Sequence, residues 1–293
     1  MVVRTHNYSG IPWYGHEKDE LVNKIEWSFK HRIGPGQLPG PQVPKAKFAR
    51  LLGIVSPHAG YSYSGPHACH GFLELSKYNE IDTVIVLGTN HTGMGYPTSL
   101  FPLGEWQTPL GSIQIDEEIH KQFTDLIRPN AKKIGFGVDS DAHFTEHSID
   151  NQLPFLQYTI KNAFKILPIT MGDHSLITCN IVANALSKII SSTEKHIVIV
   201  ASSDFTHYLS PAEAEKKDKP VIGFLQSYKI EEAVTSKKQS NASICGFGPV
   251  ITLFLVAKQL NMLKNELLKY GNSGETGGDF SSVVAYASII LGT

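Results

Sequence analysis

The chain has 293 residues, 41% hydrophobic and 18% charged, with 26 Lys and Arg against 27 Asp and Glu and a formal net charge of -1. That apolar fraction excludes a disordered chain and suits one large α/β domain, while the balanced, scattered charge offers no footprint for a phosphate backbone and sets nucleic acid aside. Three distant cysteines (Cys69, Cys179, Cys245) make no disulfide framework, the amino terminus lacks an apolar secretion-signal core, and no apolar run reaches the roughly 18 to 20 residues of a membrane helix, so a soluble, cytoplasmic protein is expected.

In chain order, the Pro- and Gly-rich stretch 32–47 reads as an extended surface connection. FARLLGIVS (48–56) and IDTVIVLG (81–88) read as strands, with the helical pattern PHACHGFLELSKY (66–78) between them as a βαβ unit. Residues 98–116 read as a hairpin excursion, and DEEIHKQFTDLI (116–127) opens with acidic residues as a helix should. A helix over 146–161 follows, bent or interrupted at Pro154. Then come strand FKILPIT (164–170), helix SLITCNIVANALSKIISS (175–192) and strand HIVIVASSDF (196–205). A helical stretch from 211 to about 236, helix PVITLFLVAKQL (249–260) and strands 265–271 and 281–292 complete the chain. This alternation predicts a single α/β domain over 1–293, with a mostly parallel central sheet, antiparallel additions near the hairpin and the carboxyl end, and flanking helices.

In open α/β sheets ligands gather at the carboxyl ends of the strands. Three predicted strands end in polar groups there: the first in Pro57-His58-Ala59-Gly60, the second in Gly88-Thr89-Asn90-His91, the third in Ser202-Ser203-Asp204-Phe205-Thr206-His207. Each alone has an ordinary reading as a turn or cap; imidazoles and a carboxylate converging on one edge are what a metal or acid–base site requires. Cys245 stands at a predicted helix start, where a thiolate is favoured over a thiol; the alternative is a small buried hydrophobe, the reading given to Cys69 and Cys179. Glu146 and His147 stand at a helix start from which both could reach the cleft, the equal alternative being a helix entry at Ser148 or its neighbours with an acidic first turn, and Trp13 either borders the pocket or anchors the amino terminus. His67, His70, His120, His143, His174 and His196 have no such support and read as surface or structural, the pair in PHACH lacking a carboxylate or thiol partner.

With these residues assembled, the sequence resembles the Memo family, known also as protein B of the AmmeMemoRadiSam system. The matching pieces run in order through PHAGYSYSG, VLGTNH, TEHSIDNQLPF, SSDFTHY, ICGFGP and SVVAYAS, from about residue 6 to the end. The resemblance implies a fold similar to the class III extradiol dioxygenases. It places His58, His91 and Cys245 on metal-ligand positions, Asp204 and His207 on polar site positions, and Trp13 on an aromatic bordering the pocket. Two departures follow. Those dioxygenases use a carboxylate as third ligand where this chain has Cys245, a softer and more oxidisable group, so their chemistry does not transfer. Thr92 stands where animal Memo proteins tend to have a second histidine.

Together these readings predict one transition-metal ion per chain, copper or iron with zinc as a further fit, held by His58, His91 and Cys245. His207 would be the proton donor or acceptor, Asp204 an orienting group or an additional metal ligand, and Trp13, Glu146 and His147 substrate contacts. The expected function is metal-dependent redox chemistry on a small organic molecule. The alternatives are a non-catalytic adaptor holding a metal or peptide in the same cleft, and metal-assisted hydrolysis.

Overall fold

Runs of β-branched and leucine residues without polar alternation suit burial on both faces, and such runs make the centre of this molecule. The computed structural model describes residues 1–5, 13–78 and 80–293. The chain opens with β1 (Val2–Arg4), α1 (Lys18–Lys30), β2 (Leu51–Ser56), α2 (Tyr61–Leu75) and β3 (Thr83–Thr89). It continues through β4 (Thr98–Leu100), β5 (Gly104–Thr108), β6 (Gly111–Gln114), α3 (Glu117–Ile127), β7 (Phe136–Val138), α4 (Asp141–Phe144), α5 (His147–Asp150) and α6 (Leu153–Thr159). Then follow β8 (Lys165–Met171), α7 (Leu176–Ser192), β9 (Ile197–Ser202), β10 (His207–Leu209), α8 (Pro211–Gln226), α9 (Ile230–Ser240), α10 (Phe247–Gln259), β11 (Lys264–Asn272), α11 (Gly274–Gly277) and β12 (Val283–Gly292).

β2, β9, β3 and β8 lie side by side and parallel. β12 adds antiparallel beside β2 and carries β10 and β11, while β4 adds antiparallel beside β8 and carries β7. The sheet is therefore mixed, with a parallel centre and antiparallel margins. Every residue of β2, β3 and β9 is buried. Alternate side chains feed two cores: Val55, Ile85 and Leu87 face the layer of α3, α7, α8, α9 and α10, while Ile54, Val84 and Val86 face that of α1, α2 and α6.

Several expectations needed correction. The 98–116 region is not one hairpin: β4 joins the main sheet, and β5 pairs with both β6 and β1 in a separate three-stranded sheet. The helix over 146–161 is interrupted as expected, but before Pro154 rather than at it: the chain breaks at 151–152, and the proline lies in the first turn of α6, where its missing N–H costs nothing. The stretch from 211 to about 236 is likewise two helices, the first started by a reciprocal cap of Ser210 and Glu213 with Pro211. α1 was not anticipated. Ile11 and Pro12 of the IPWYG segment lie outside the described residues. Among the described residues no helix is long and apolar enough to cross a membrane.

One buried ionic cluster ties the small sheet to the site-bearing segment. Asp150, at the end of α5, accepts from Arg4 Nη1 at 2.6 Å, Trp106 Nε1 at 2.8 Å and Tyr14 Oη at 3.0 Å, and Arg4 also lies over the Trp106 ring. Removing one partner of such a pair leaves an uncompensated buried charge, so Asp150→Ala should cost about 3–5 kcal/mol. Equilibrium urea unfolding measures this; a loss within the scatter of surface substitutions would refute the anchoring role.

Candidate metal centre

The carboxyl ends of the parallel strands converge as the strand polarity dictates: His58 follows β2, His91 follows β3 and Asp204 follows β9. Cys245 comes up from the opposite core, just before Gly246 and α10. Two close approaches depend on missing side chains. A Cβ on Gly88 would lie 2.6 Å from Ser148 Oγ and from Ile149, so glycine there lets α5 press against the end of β3. A Cβ on Gly246 would lie 2.1 Å from the Ser202 carbonyl, so glycine there lets the Cys245 turn seat against β9.

His58 is buried; its backbone N–H donates to Asp204 Oδ1 at 2.8 Å, its Nδ1 lies 2.9 Å from Ser202 Oγ, and its Nε2 lies 3.2 Å from Cys245 Sγ. The His91 ring meets it edge-on at 5.2 Å. Glu146 is wholly buried and accepts four N–H groups: the backbone and Nδ1 of His91 at 2.7 and 2.9 Å, and the backbones of His147 and Ser148 at 2.9 and 2.8 Å. A carboxylate only accepts, so Nδ1 of His91 carries a hydrogen, and the neutral ring then has its lone pair on Nε2. His147 stacks on His91 at 4.8 Å, meets His58 edge-on at 5.3 Å and is covered by Trp13, whose ring lies parallel at 4.1 Å.

Two groups of donor atoms result, sharing His58. In one, nitrogens of His58, His91 and His147 lie within 4.8 Å of one another; in the other, donors of His58, Asp204 and Cys245 do. The donor set fits a borderline or soft transition metal. The 3.2 Å between His58 Nε2 and Cys245 Sγ is close to the roughly 3.5 Å that nitrogen and sulfur keep around one tetrahedral ion. Cys245 thus shares its group with Asp204 rather than with His91, and His147, expected as a substrate contact, joins the imidazole cluster. Glu146 was expected in that role too; both its oxygens are occupied in holding His91 and starting α5. Asp204 Oδ1 accepts the backbone N–H groups of His58 and Ala59 at 2.8 and 3.3 Å.

His207 is half-buried at the sheet edge, its Nδ1 2.9 Å from the Ser243 carbonyl and its ring against Tyr208. It is absent from both donor groups, although its charge is felt at His58 and Asp204. α8 is capped by Ser210. Away from the site, His70, His120 and His174 each bond a backbone carbonyl, and His143 meets Ser99. His67, however, does have a carboxylate partner, Glu275 at 2.8 Å, which sequence separation concealed.

Burial, aided by the neighbouring His91, pushes His58 down to about 3, and burial beside His58 does the same to His147. Burial also raises Asp204, against the hydrogen bond from His58. It raises the Cys245 thiol as well, with Asp204 adding to the effect. The readily formed thiolate expected at this helix start is therefore overturned for the metal-free protein: a neighbouring carboxyl and the dry surroundings outweigh the helix terminus. Glu146 goes the other way: burial would raise it, but the His91 hydrogen bond and the charges of His91 and His147 bring it from 4.5 to about 2.

The profile of a family described as Memo-like protein matches residues 4–290 of this chain. The chain is 42% identical over 282 residues to a MEMO1 family protein of Sulfurisphaera tokodaii, covering 96% of each. It is 41% identical over 277 residues to one of Desulfurococcus amylolyticus, covering 94% of this chain and 95% of the relative. With one of Methanopyrus kandleri it shares 39% identity over 285 residues, 95% of each.

A carboxylate with a depressed folded-state pKa stabilises the fold above its ordinary value and loses that contribution as pH falls through the depressed one. The stability advantage of wild type over Glu146→Gln should accordingly be complete above about pH 4.5 and shrink toward pH 2, measured by urea midpoints; a pH-independent difference would contradict it. For the thiol, alkylation of metal-free protein at neutral pH followed by peptide mapping should find Cys245 slow, as the raised thiols Cys69 and Cys179 are, with its rate climbing only above the ordinary thiol value of 9.0. Selective labelling of Cys245 at pH 7 would refute this.

Proposed function

We propose the following for this chain, which belongs to the Memo-like protein family: it holds one transition-metal ion through His58, His91 and Cys245, with His58 as the member common to the donor group of His91 and the donor group of Cys245, and acts on a small organic molecule as a metal-dependent redox enzyme. Copper and iron suit two imidazoles and a thiolate, with zinc a further fit on ligand softness. The observation that carries the reading is the 3.2 Å approach of His58 Nε2 to Cys245 Sγ at the strand ends, with the His91 lone pair and the His147 ring on the same imidazole. The setting is that of a class III extradiol dioxygenase-like fold in which a thiol has replaced the third ligand.

A bound ion would supply Lewis-acid and one-electron chemistry. The chain's own residues do the rest. Glu146 orients His91, and Asp204 holds the His58 backbone while its Oδ2, 4.0 Å from His58 Nε2, offers a carboxyl that burial favours in its protonated form. His207 keeps its Nδ1 proton on the Ser243 carbonyl, which leaves Nε2 to take or give a proton. Trp13 and His147 make an aromatic wall for a small-molecule or peptide ligand, with neither nucleic acid nor membrane as partner and a cytoplasmic setting. That wall also favours the second reading, a non-catalytic adaptor, since a flat aromatic surface receives a peptide side chain without requiring turnover.

Metal analysis of untagged protein purified aerobically and anaerobically tests the metal. Cys245→Ser should keep the fold and lower copper or iron(II) affinity at least tenfold; unchanged affinity and stoichiometry would remove Cys245 from the ligand set. His207→Ala should keep the metal and abolish turnover in oxygen-uptake screens against small organic molecules. Retained metal with no turnover in wild type across such screens favours the adaptor.

A further inference from the structure

We infer that Ser202, supported by Gln152, fixes the tautomer of His58 and thereby aims the lone pair of Nε2, rather than of Nδ1, at the centre. This positioning role rests on the metal-binding reading for its consequence, but not for its geometry. Ser202 Oγ lies 2.6 Å from the Ser148 carbonyl, which can only accept, so the single hydroxyl hydrogen is committed there. Gln152 Nε2 lies 2.9 Å from the same Oγ and 3.0 Å from the Pro57 carbonyl. The carbonyl settles the amide orientation, since the opposite one would set oxygen against oxygen. Gln152 therefore donates to Ser202 and occupies one of its two lone pairs.

The third neighbour of Ser202 Oγ is His58 Nδ1, at 2.9 Å. With the hydroxyl hydrogen committed, the remaining lone pair needs a donor, and only a protonated Nδ1 supplies one. Ser148, Gln152, Ser202 and His58 are all at most 2% exposed, so bulk water does not compete for these positions. The lock opposes a real alternative. On its other side the ring faces Cys245 Sγ at 3.2 Å, and a thiol whose own hydrogen goes to the Asp204 carbonyl, 3.6 Å away, can accept from Nε2; a proton drawn there would leave the metal-facing nitrogen without a lone pair. His91 solves the same problem with a carboxylate, Glu146. The two imidazoles are thus backed differently, one by a charge and one by a neutral hydroxyl whose own proton is held by a backbone carbonyl.

The test is long-range proton–nitrogen correlation of ¹⁵N-histidine-labelled, metal-free protein at neutral pH, with zinc affinity measured alongside. Wild type should show His58 protonated at Nδ1. Ser202→Ala should move the proton to Nε2 and weaken zinc binding by about 10–100-fold, as loss of a hydrogen-bond partner behind a ligating histidine does; Ser202→Thr, which keeps the hydroxyl, should retain the wild-type tautomer. An unprotonated Nδ1 in wild type, or an unchanged tautomer in Ser202→Ala, overturns the inference. If wild type binds no zinc while the tautomer is as expected and moves in Ser202→Ala, the lock stands and the metal reading falls. Should Ser202→Ala not fold, the wild-type spectrum alone decides.

Discussion

The site is built around one buried carboxylate. Glu146 is wholly buried, and an uncompensated charge there would be expensive; four N–H groups, two from His91 and two from the start of α5, hold it ionised. Those bonds join the end of β3 to α5. The helix has four residues, too short to form by its own propensity, and its other end is held by the second buried carboxylate, Asp150, through Arg4, Tyr14 and Trp106. His147 and Ser148 are placed by these two anchors. Ser148 in turn receives the hydroxyl proton of Ser202, which bears on His58, so the positions of all three clustered imidazoles trace back to Glu146 and its helix.

Burial then sets the charge state of what has been gathered. His58 and His147 are driven toward neutrality, the Cys245 thiol and Asp204 toward their protonated forms, so the metal-free cluster carries less charge than its composition suggests. Neutral imidazoles are the ligating form, whereas the thiol is not. An ion taken up through Cys245 would therefore release a proton, and its affinity would depend on pH more steeply than that of three imidazoles alone. The parallel strands β2, β3 and β9 beneath are buried along their whole length, and the polar groups stand where they end.

Much of the fold was legible because its cause is local. Continuous apolar runs such as IVIVA can be satisfied only between two layers, and Ser175 and Ser210 mark helix starts by their own hydrogen bonds. α1 was invisible because its polar face dominates a sequence in which only Leu21, Ile25, Ser28 and Phe29 are buried. β1, β7 and β10 have three residues each and exist only as partners of other strands. The break between α5 and α6 was anticipated near Pro154, but its use, freeing Asn151 and Gln152 to bond the His58 and Pro57 carbonyls, was not.

By itself the sequence determined the alternation of strands and helices, and with it the appearance of His58, His91 and Asp204 beyond strand ends, since strand polarity and apolar length are properties of short segments. Tertiary structure decided everything that depends on distance and dielectric: that His147 lies flat between Trp13 and His91, that Glu146 holds rather than reaches, that His67 finds Glu275 across the chain, and that the Cys245 thiol is raised instead of lowered. The reason is common to all four. Chemical type is written residue by residue, but a hydrogen bond or a pKa belongs to a neighbourhood, and groups far apart in the sequence become neighbours only when the chain folds.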